Sequence, residues 1–239
     1  MKISIKRDNG IVEYNIEDNG STLLEILNEI KTKTDPTLTY NSGCRSGVCG
    51  SCALRVNSKE VLACSYRIKD GDIIEPLNNM PVIRDLAVDM DKAYSFNSRA
   101  KAWQSSESEN ISLSPQDEKL NELQSDCILC ASCYSACPVY ALNSEFLGPF
   151  SLTRVWRYVS DKRESDAKDK IDNIQTNGVW DCTLCNECTL VCPQGISSKA
   201  DIEKLRAKSA MYGYMDPNFG SFGGGLSFGG SFDEGSPSF

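Results

Sequence analysis

Two copies of one cysteine spacing constrain this chain more than any other feature of it. Cys127, Cys130, Cys133 and Cys137 are followed by Pro138, and Cys182, Cys185, Cys188 and Cys192 by Pro193, so C-x2-C-x2-C-x3-C-P occurs twice. A third group has a different rhythm. Cys44, Cys49 and Cys52 follow C-x4-C-x2-C, and Cys64 comes after an eleven-residue gap. Together the three groups use all 12 cysteines of the 239 residues. The opening stretch MKISIKRDNG has no signal-peptide hydrophobic region. No apolar run approaches the ~20 residues needed to span a bilayer. The expectation is a cytoplasmic protein, where disulfides are rare, and thiols gathered this closely then argue for metal.

The choice of metal follows from what else is present. The chain contains no histidine, which removes the commonest general base, a frequent zinc ligand and a His-ligated Rieske centre. The C-x4-C-x2-C…C spacing is the plant-type pattern for a [2Fe–2S] cluster, and the repeated run is the bacterial two-cluster pattern. Zinc is the competing reading for the first group; zinc sites rarely use a four-residue gap. A compact cluster needs several thiolates wrapped round it by one loop. Gly43, Gly47 and Gly50 can supply left-handed backbone and close approach there, with N–H groups available to the sulfurs.

In the two-cluster run the fourth cysteine serves the other cluster. The spacing therefore predicts one [4Fe–4S] site from Cys127, Cys130, Cys133 and Cys192, and another from Cys137, Cys182, Cys185 and Cys188. Crossed ligation would staple the two halves of that region together. One [2Fe–2S] and two [4Fe–4S] clusters with no acid–base machinery make a wire, with no catalytic residues on this chain. Asp126, Asp181 and Glu187 beside the cysteines read as solvated surface charge. A net charge of −8, from 25 basic and 33 acidic residues, disfavours nucleic acid as a partner, since phosphate binding needs a basic face.

The pattern around the cysteines predicts an α+β chain. KISIK, a turn at Asn9-Gly10 and the alternating Val12, Tyr14 and Ile16 read as a hairpin. Thr22 and Glu25 fit a capping box before the stripe Leu23, Ile26, Leu27 and Ile30, and Asp35-Pro36 ends that helix. Short strands follow around ALRV, EVLACSYRI and DIIEPL, an arrangement suggesting a β-grasp. Residues 82–103 read as a connecting helix with Ile83, Leu86, Ala87 and Met90 on one face, and QSSESEN as a polar linker. Ser114-Pro115 starts a helical region, with Leu120 and Leu123 turned inward. Further helices are predicted from Leu152 (Leu152, Val155, Trp156, Val159) and over 199–210 (Ile202, Leu205). The divisions are thus a plant-type [2Fe–2S] ferredoxin domain over 1–95, a linker over 96–113, an all-α, bacterial-ferredoxin-like domain with two clusters over 114–214, and a Gly/Phe/Ser-rich tail over 215–239. The tail's composition suits a flexible segment; its five phenylalanines also suit docking on a partner.

The order of these parts, with SGCRSGVCGSC, PVIRDLAVDM, CILCASCYSACP, FLGPFSLTRVWRY and CTLCNECTLVCP, resembles the iron–sulfur subunits of succinate dehydrogenases and fumarate reductases over about residues 1–210. The resemblance implies a relay between the FAD of a separate flavoprotein subunit, which interconverts succinate and fumarate, and a second redox partner. That partner is often a membrane anchor with quinone, in the tricarboxylic acid cycle or anaerobic respiration. The chain would then sit peripherally on the cytoplasmic face of a membrane through its partners.

Three positions depart from the common form. The usual third cluster is [3Fe–4S], on cysteines corresponding to Cys137, Cys182 and Cys188; Cys185 offers a fourth ligand, which implies [4Fe–4S] and a lower potential. Thr183 stands where His is frequent, and Leu142 stands near the place of a quinone-pocket Trp. In these respects the chain is similar to variants with a cysteine-rich, heterodisulfide-reductase-like partner, thiol:fumarate reductases among them. Competing readings are a free multi-cluster carrier and the iron–sulfur subunit of another flavin-linked oxidoreductase.

Overall fold

The computed structural model of the chain describes residues 1–17, 20–105 and 111–217; the 218–239 part of the tail and most of the polar linker lie outside the described residues. Strands β1 (Lys2–Arg7) and β2 (Gly10–Asn15) form an antiparallel hairpin with Arg7 opposite Gly10. Asp8 and Asn9 are therefore the turn, one residue earlier than expected. Ile3 and Ile5 are fully buried, but on β2 only Tyr14 is, and Val12 is exposed. The reason is position: β2 is an edge strand of the sheet.

Helix α1 (Leu23–Glu29) starts with the reciprocal Thr22–Glu25 box and buries Leu23, Ile26 and Leu27. It runs on as a π turn, Ile30–Thr34, that stops at Asp35. Strands β3 (Ala53–Val56) and β4 (Lys59–Leu62) pair antiparallel, and β5 (Ile73–Glu75) lies between β3 and β1. The sheet order is β2-β1-β5-β3-β4, with β1 and β5 parallel. A parallel pair needs a long crossover, and that crossover carries α1, the first cysteine loop and the β3–β4 hairpin.

The 82–103 segment is not one helix. It forms a small hairpin, β6 (Val82–Arg84) and β7 (Ala87–Val88), and only then a helix, α2 (Asp91–Arg99). Asp85 decides this. Its backbone is left-handed at φ 50°, and its buried carboxylate accepts from Arg7 Nε (2.7 Å), the Thr39 amide (2.9 Å) and, more weakly, the Asp8 amide. Those long-range bonds outweigh a weak helical pattern in a stretch with β-branched Val82 and Ile83; Ile83 ends up exposed. Arg7 also donates to Tyr14 (2.8 Å) and Asp35 (2.5 Å), tying the hairpin to the end of the first helix.

The helical part comprises α3 (Pro115–Lys119), α4 (Glu122–Ser125), α5 (Ser132–Ser135), α6 (Pro138–Leu142), α7 (Pro149–Val159), α8 (Ala167–Asp172), α9 (Glu187–Leu190) and α10 (Ser198–Met211). Ser114 caps α3 in a box with Asp117. Leu120 and Leu123, expected inward, are about half exposed. The helix breaks at Asn121, and the rotated α4 buries Gln124 instead. Leu152, Val155 and Val159 of α7 and Ile202 and Leu205 of α10 are buried as expected, and these two helices pack on each other. The core centres on Tyr134, whose ring meets Phe150 at 4.5 Å and Tyr140 at 4.9 Å edge to face. Phe96 joins this aromatic group. Met80, Val88, Ala93 and Ala100 lie in the same cluster, so the connecting segment packs onto the helical part.

Candidate functional site

The first cysteine loop runs between α1 and β3. The Cys44 amide donates to Cys49 Sγ (3.3 Å), and the Ser46 and Val48 amides donate to Cys44 Sγ (3.4 Å each). These amides, rather than those of the glycines, point at sulfur. Hydrogen bonds from Ser46 lead the causes that lower the Cys44 thiol to about 6. Cys52 and Cys64 face each other across the start of β3 and the end of β4, where the Ala63 amide bonds the Cys52 carbonyl. Burial raises Cys52 to about 11. Gly43 serves by close approach, since a Cβ there would lie 2.8 Å from Cys49 Sγ. Gly47 and Gly50 are left-handed.

The other eight cysteines divide between two recesses. One is lined by Cys127, Cys130, Cys133 and Cys192, with Ile128, Phe150 and Thr153. The second is lined by Cys137, Cys182, Cys185 and Cys188, with Val139, Phe146 and Leu184. The two copies are built alike. Leu129 and Ala131 in the first copy, and Leu184 and Asn186 in the second, all take positive φ. A short helix, α5 or α9, then opens at the residue before the third or at the residue before the matching third cysteine of its copy. Leucine and alanine rarely adopt this backbone, so the loops are held by what surrounds them.

Burial raises Cys127 to about 11 and Cys188 to about 12, and pushes up Cys130, Cys133, Cys137 and Cys182 as well. Thiols in such a place stay protonated until a metal takes the proton's position. Among the described residues, no three or more His, Cys, Asp or Glu converge as ligands of one metal ion do. Four thiols spread round an apolar recess fit a multi-iron cluster better than a zinc ion, whose four ligands crowd one centre.

Three residues next to the cysteines were not singled out from sequence. Gln194, which follows Cys192-Pro193, donates to the Gly47 carbonyl of the first loop (3.1 Å). Arg206 donates to the carbonyls of Val179 (2.8 Å) and Cys182 (2.6 Å) and stacks over Trp180. Asp201, 1% exposed, accepts from Gln124 (2.8 Å) and Thr153 (3.2 Å). The only sequence signal for Asp201 and Arg206 is their place next to Ile202 and Leu205, the positions expected to be buried.

Residues 3–95 match the 2Fe-2S iron-sulfur cluster binding domain, and residues 123–196 the 4Fe-4S dicluster domain. The fumarate reductase iron-sulfur subunit of Haemophilus influenzae is 36% identical over 213 residues, covering 81% of this chain and 83% of that one. The chain belongs to this family of iron–sulfur subunits. Its succinate dehydrogenase members are also similar: the mitochondrial iron-sulfur subunit 1 of Oryza sativa is 32% identical over 205 residues, 81% of this chain and 73% of that one. The Mycobacterium smegmatis Sdh1 complex in the apo form contains a chain of the same fold, with a TM-score of 0.80 and 24% identity over 90% of this chain and 97% of that one. The family assignment accounts for the order of the parts, a [2Fe–2S] domain and then a dicluster domain, on one polypeptide.

Proposed function

We propose that this chain is the electron-relay subunit of a succinate dehydrogenase or fumarate reductase complex, carrying one [2Fe–2S] cluster on Cys44, Cys49, Cys52 and Cys64 and two [4Fe–4S] clusters in the two recesses. When bound, the clusters supply one-electron storage at three successive places. The protein's own part is to hold thiolates in position, aim amides at sulfur and line the two recesses with apolar side chains. The observation that carries the reading is the partition of the cysteines. Each recess takes three from one copy of the motif and the fourth from the other copy, as the two-cluster pattern requires.

In this reading the N-terminal sheet is a β-grasp ferredoxin domain over 1–95, and the cluster-bearing part over 114–214 is the helical ferredoxin domain, joined by the 96–113 linker. The first loop, with Cys44 exposed, faces the FAD of a flavoprotein subunit that interconverts succinate and fumarate. The second recess, with Cys185 exposed, faces a quinone- or thiol-linked partner, such as a membrane anchor or a cysteine-rich subunit. Leu142, 92% exposed on that side of the sequence motif, and Thr183 support a thiol-linked partner over a quinone pocket on this chain. No described helix is long and apolar enough to cross a membrane, so attachment would come through partners on the cytoplasmic face.

Purification of the native complex tests this. The chain should co-elute with a flavin-bearing subunit, carry the iron of one two-iron and two four-iron clusters, and lack fumarate reduction when isolated. A brown species running alone near 26.3 kDa would favour a free carrier, and zinc in place of iron would overturn the reading.

A further inference from the structure

Gly50 sits between Cys49 and Cys52 of the first loop, yet its nearest neighbours belong to the second cysteine group. A methyl at Gly50 would lie 2.8 Å from Cys130 Cβ, 2.9 Å from the Ile128 carbonyl oxygen and 3.0 Å from Cys130 Cα. Two of these three are main-chain atoms, so no side-chain rotation relieves the contact. Cys130 and Ile128 in turn pack against the hydrophobic core of the N-terminal sheet, beside Cys52 and Ala53. A second tie holds the same joint: Gln194, adjoining Cys192-Pro193 of the first recess, donates to the Gly47 carbonyl at 3.1 Å. The first loop is thus pressed onto the first recess at two points, one steric and one polar. Each point lies within two residues of a cysteine of each group.

We propose that Gly50 and Gln194 are positioning residues that set the gap between the first cluster, in the cysteine loop, and the middle cluster, in the first recess, and with it the rate of the internal electron step. The inference deepens the relay reading and rests on the cluster assignments made there. The step itself moves one electron from the reduced first cluster to the oxidised middle cluster, or back, with no atom transferred. The two residues touch neither flavin nor substrate; they act by fixing how closely two packed loops approach. Close packing makes such an interface intolerant of an added carbon, and electron transfer weakens steeply as the gap widens.

Gly71, in the turn just before β5, supplies a control away from the cysteines. It has nearly the same left-handed backbone, φ +81° against +73° at Gly50, but a methyl there meets nothing within 4 Å. Gly71→Ala therefore carries the backbone strain of a non-glycine residue without the wedge. The experiment uses the native complex, with iron content, redox titration of each cluster by EPR, magnetic interaction between the first and middle clusters, and rapid-mixing reduction of the middle cluster through the first. Gly50→Ala should keep both clusters and their potentials, weaken the magnetic interaction and lose the fast phase. Gly71→Ala should keep both interaction and fast phase, and Gln194→Ala should weaken both partially. Unchanged coupling and rate in a cluster-replete Gly50→Ala complex would overturn the inference. If Gly50→Ala fails to assemble the first cluster, Gln194→Ala decides, and unaltered coupling there overturns it. Absence of a two-iron or a middle four-iron signal from the unsubstituted complex would instead sink the relay reading beneath it.

Discussion

Asp201→Asn should make the protein more stable at neutral pH. The Asp201 carboxyl is 1% exposed, on α10 where it faces α7 and α4. Burial raises it from 3.8 to about 6, and the bonds from Gln124 and Thr153, with Lys204 at 3.7 Å, only partly offset that. Lys204 is half exposed and remains solvated. Because the folded form holds its proton more tightly than the unfolded chain, stability is full below about pH 4 and is lost as pH rises through 6. Two units at ~1.4 kcal/mol each put the penalty at about 3 kcal/mol by pH 7.5. Asparagine has the same shape, is neutral throughout, and keeps an oxygen to accept from Gln124; its amide can donate to the Thr153 hydroxyl.

The gain is at most that penalty, and for a chain of this size ~3 kcal/mol corresponds to roughly 6–12 °C in the unfolding midpoint. The assay is thermal loss of far-UV ellipticity and cluster absorbance at one fixed scan rate, at pH 7.5 and pH 5. At pH 5 the wild-type carboxyl is mostly protonated in the folded state, so the gain should fall to about half. A midpoint unchanged or lowered at pH 7.5, or a gain equal at the two pH values, would refute the claim that burial of this charge is a standing cost.

Gly148→Ala should prevent stable folding of the helical part, since the added methyl falls 2.6 Å from the Tyr134 hydroxyl and closer to its ring carbons, at a residue with φ +79°; soluble expression and helical ellipticity check it. Arg7→Met should cost about 3 kcal/mol or more, because it strands the buried Asp85 carboxylate without its guanidinium; urea unfolding followed by Tyr fluorescence reads the loss. Cys185→Ser should turn the second-recess cluster towards a three-iron form with a new EPR signal in the oxidised state, and an unchanged spectrum would remove Cys185 from the ligands. Chelation of iron should erase the helical ellipticity of the cluster-bearing part, because binding and folding free energy are linked at such sites.

The cysteine groups and most elements near them were legible because the signals are local. A capping box at Thr22, a Ser114-Pro115 start, the buried stripe of α7 and the Gly-flanked first loop each depend on a few neighbouring residues. The failures lie where distant residues decide. Nothing within 82–103 announces that Asp85 will be claimed by Arg7, 78 positions away, and that claim bends the segment into a hairpin. Leu120 and Leu123 looked inward on a continuous helix, but the break at Asn121 turns Gln124 inward to meet Asp201, 77 positions on. Gln194 was unreadable for the same reason: its partner, Gly47, is 147 positions earlier.

The placement of burial along the cysteines argues for a wire with insulated joints and open ends. The first loop meets the first recess at Gly50 and Gln194. The two recesses meet where α5 packs on α9, with Cys133 and Cys188 close enough for each negative charge to disfavour the other. Of the cysteines at these joints, Cys52, Cys130 and Cys188 are buried and Cys49, Cys133 and Cys192 half-buried, whereas Cys44 and Cys185 are exposed. Burial at the joints fixes separations through rigid packing and excludes water, whose reorganisation opposes charge movement. Exposure at the two ends leaves room for a partner to approach a ligand directly. Substitutions at the joints should therefore alter transfer within the subunit and leave partner affinity intact. Substitutions beside Cys44 or Cys185 should alter exchange with one partner and leave the internal step intact. A residue at a joint that changed partner affinity alone would contradict this division.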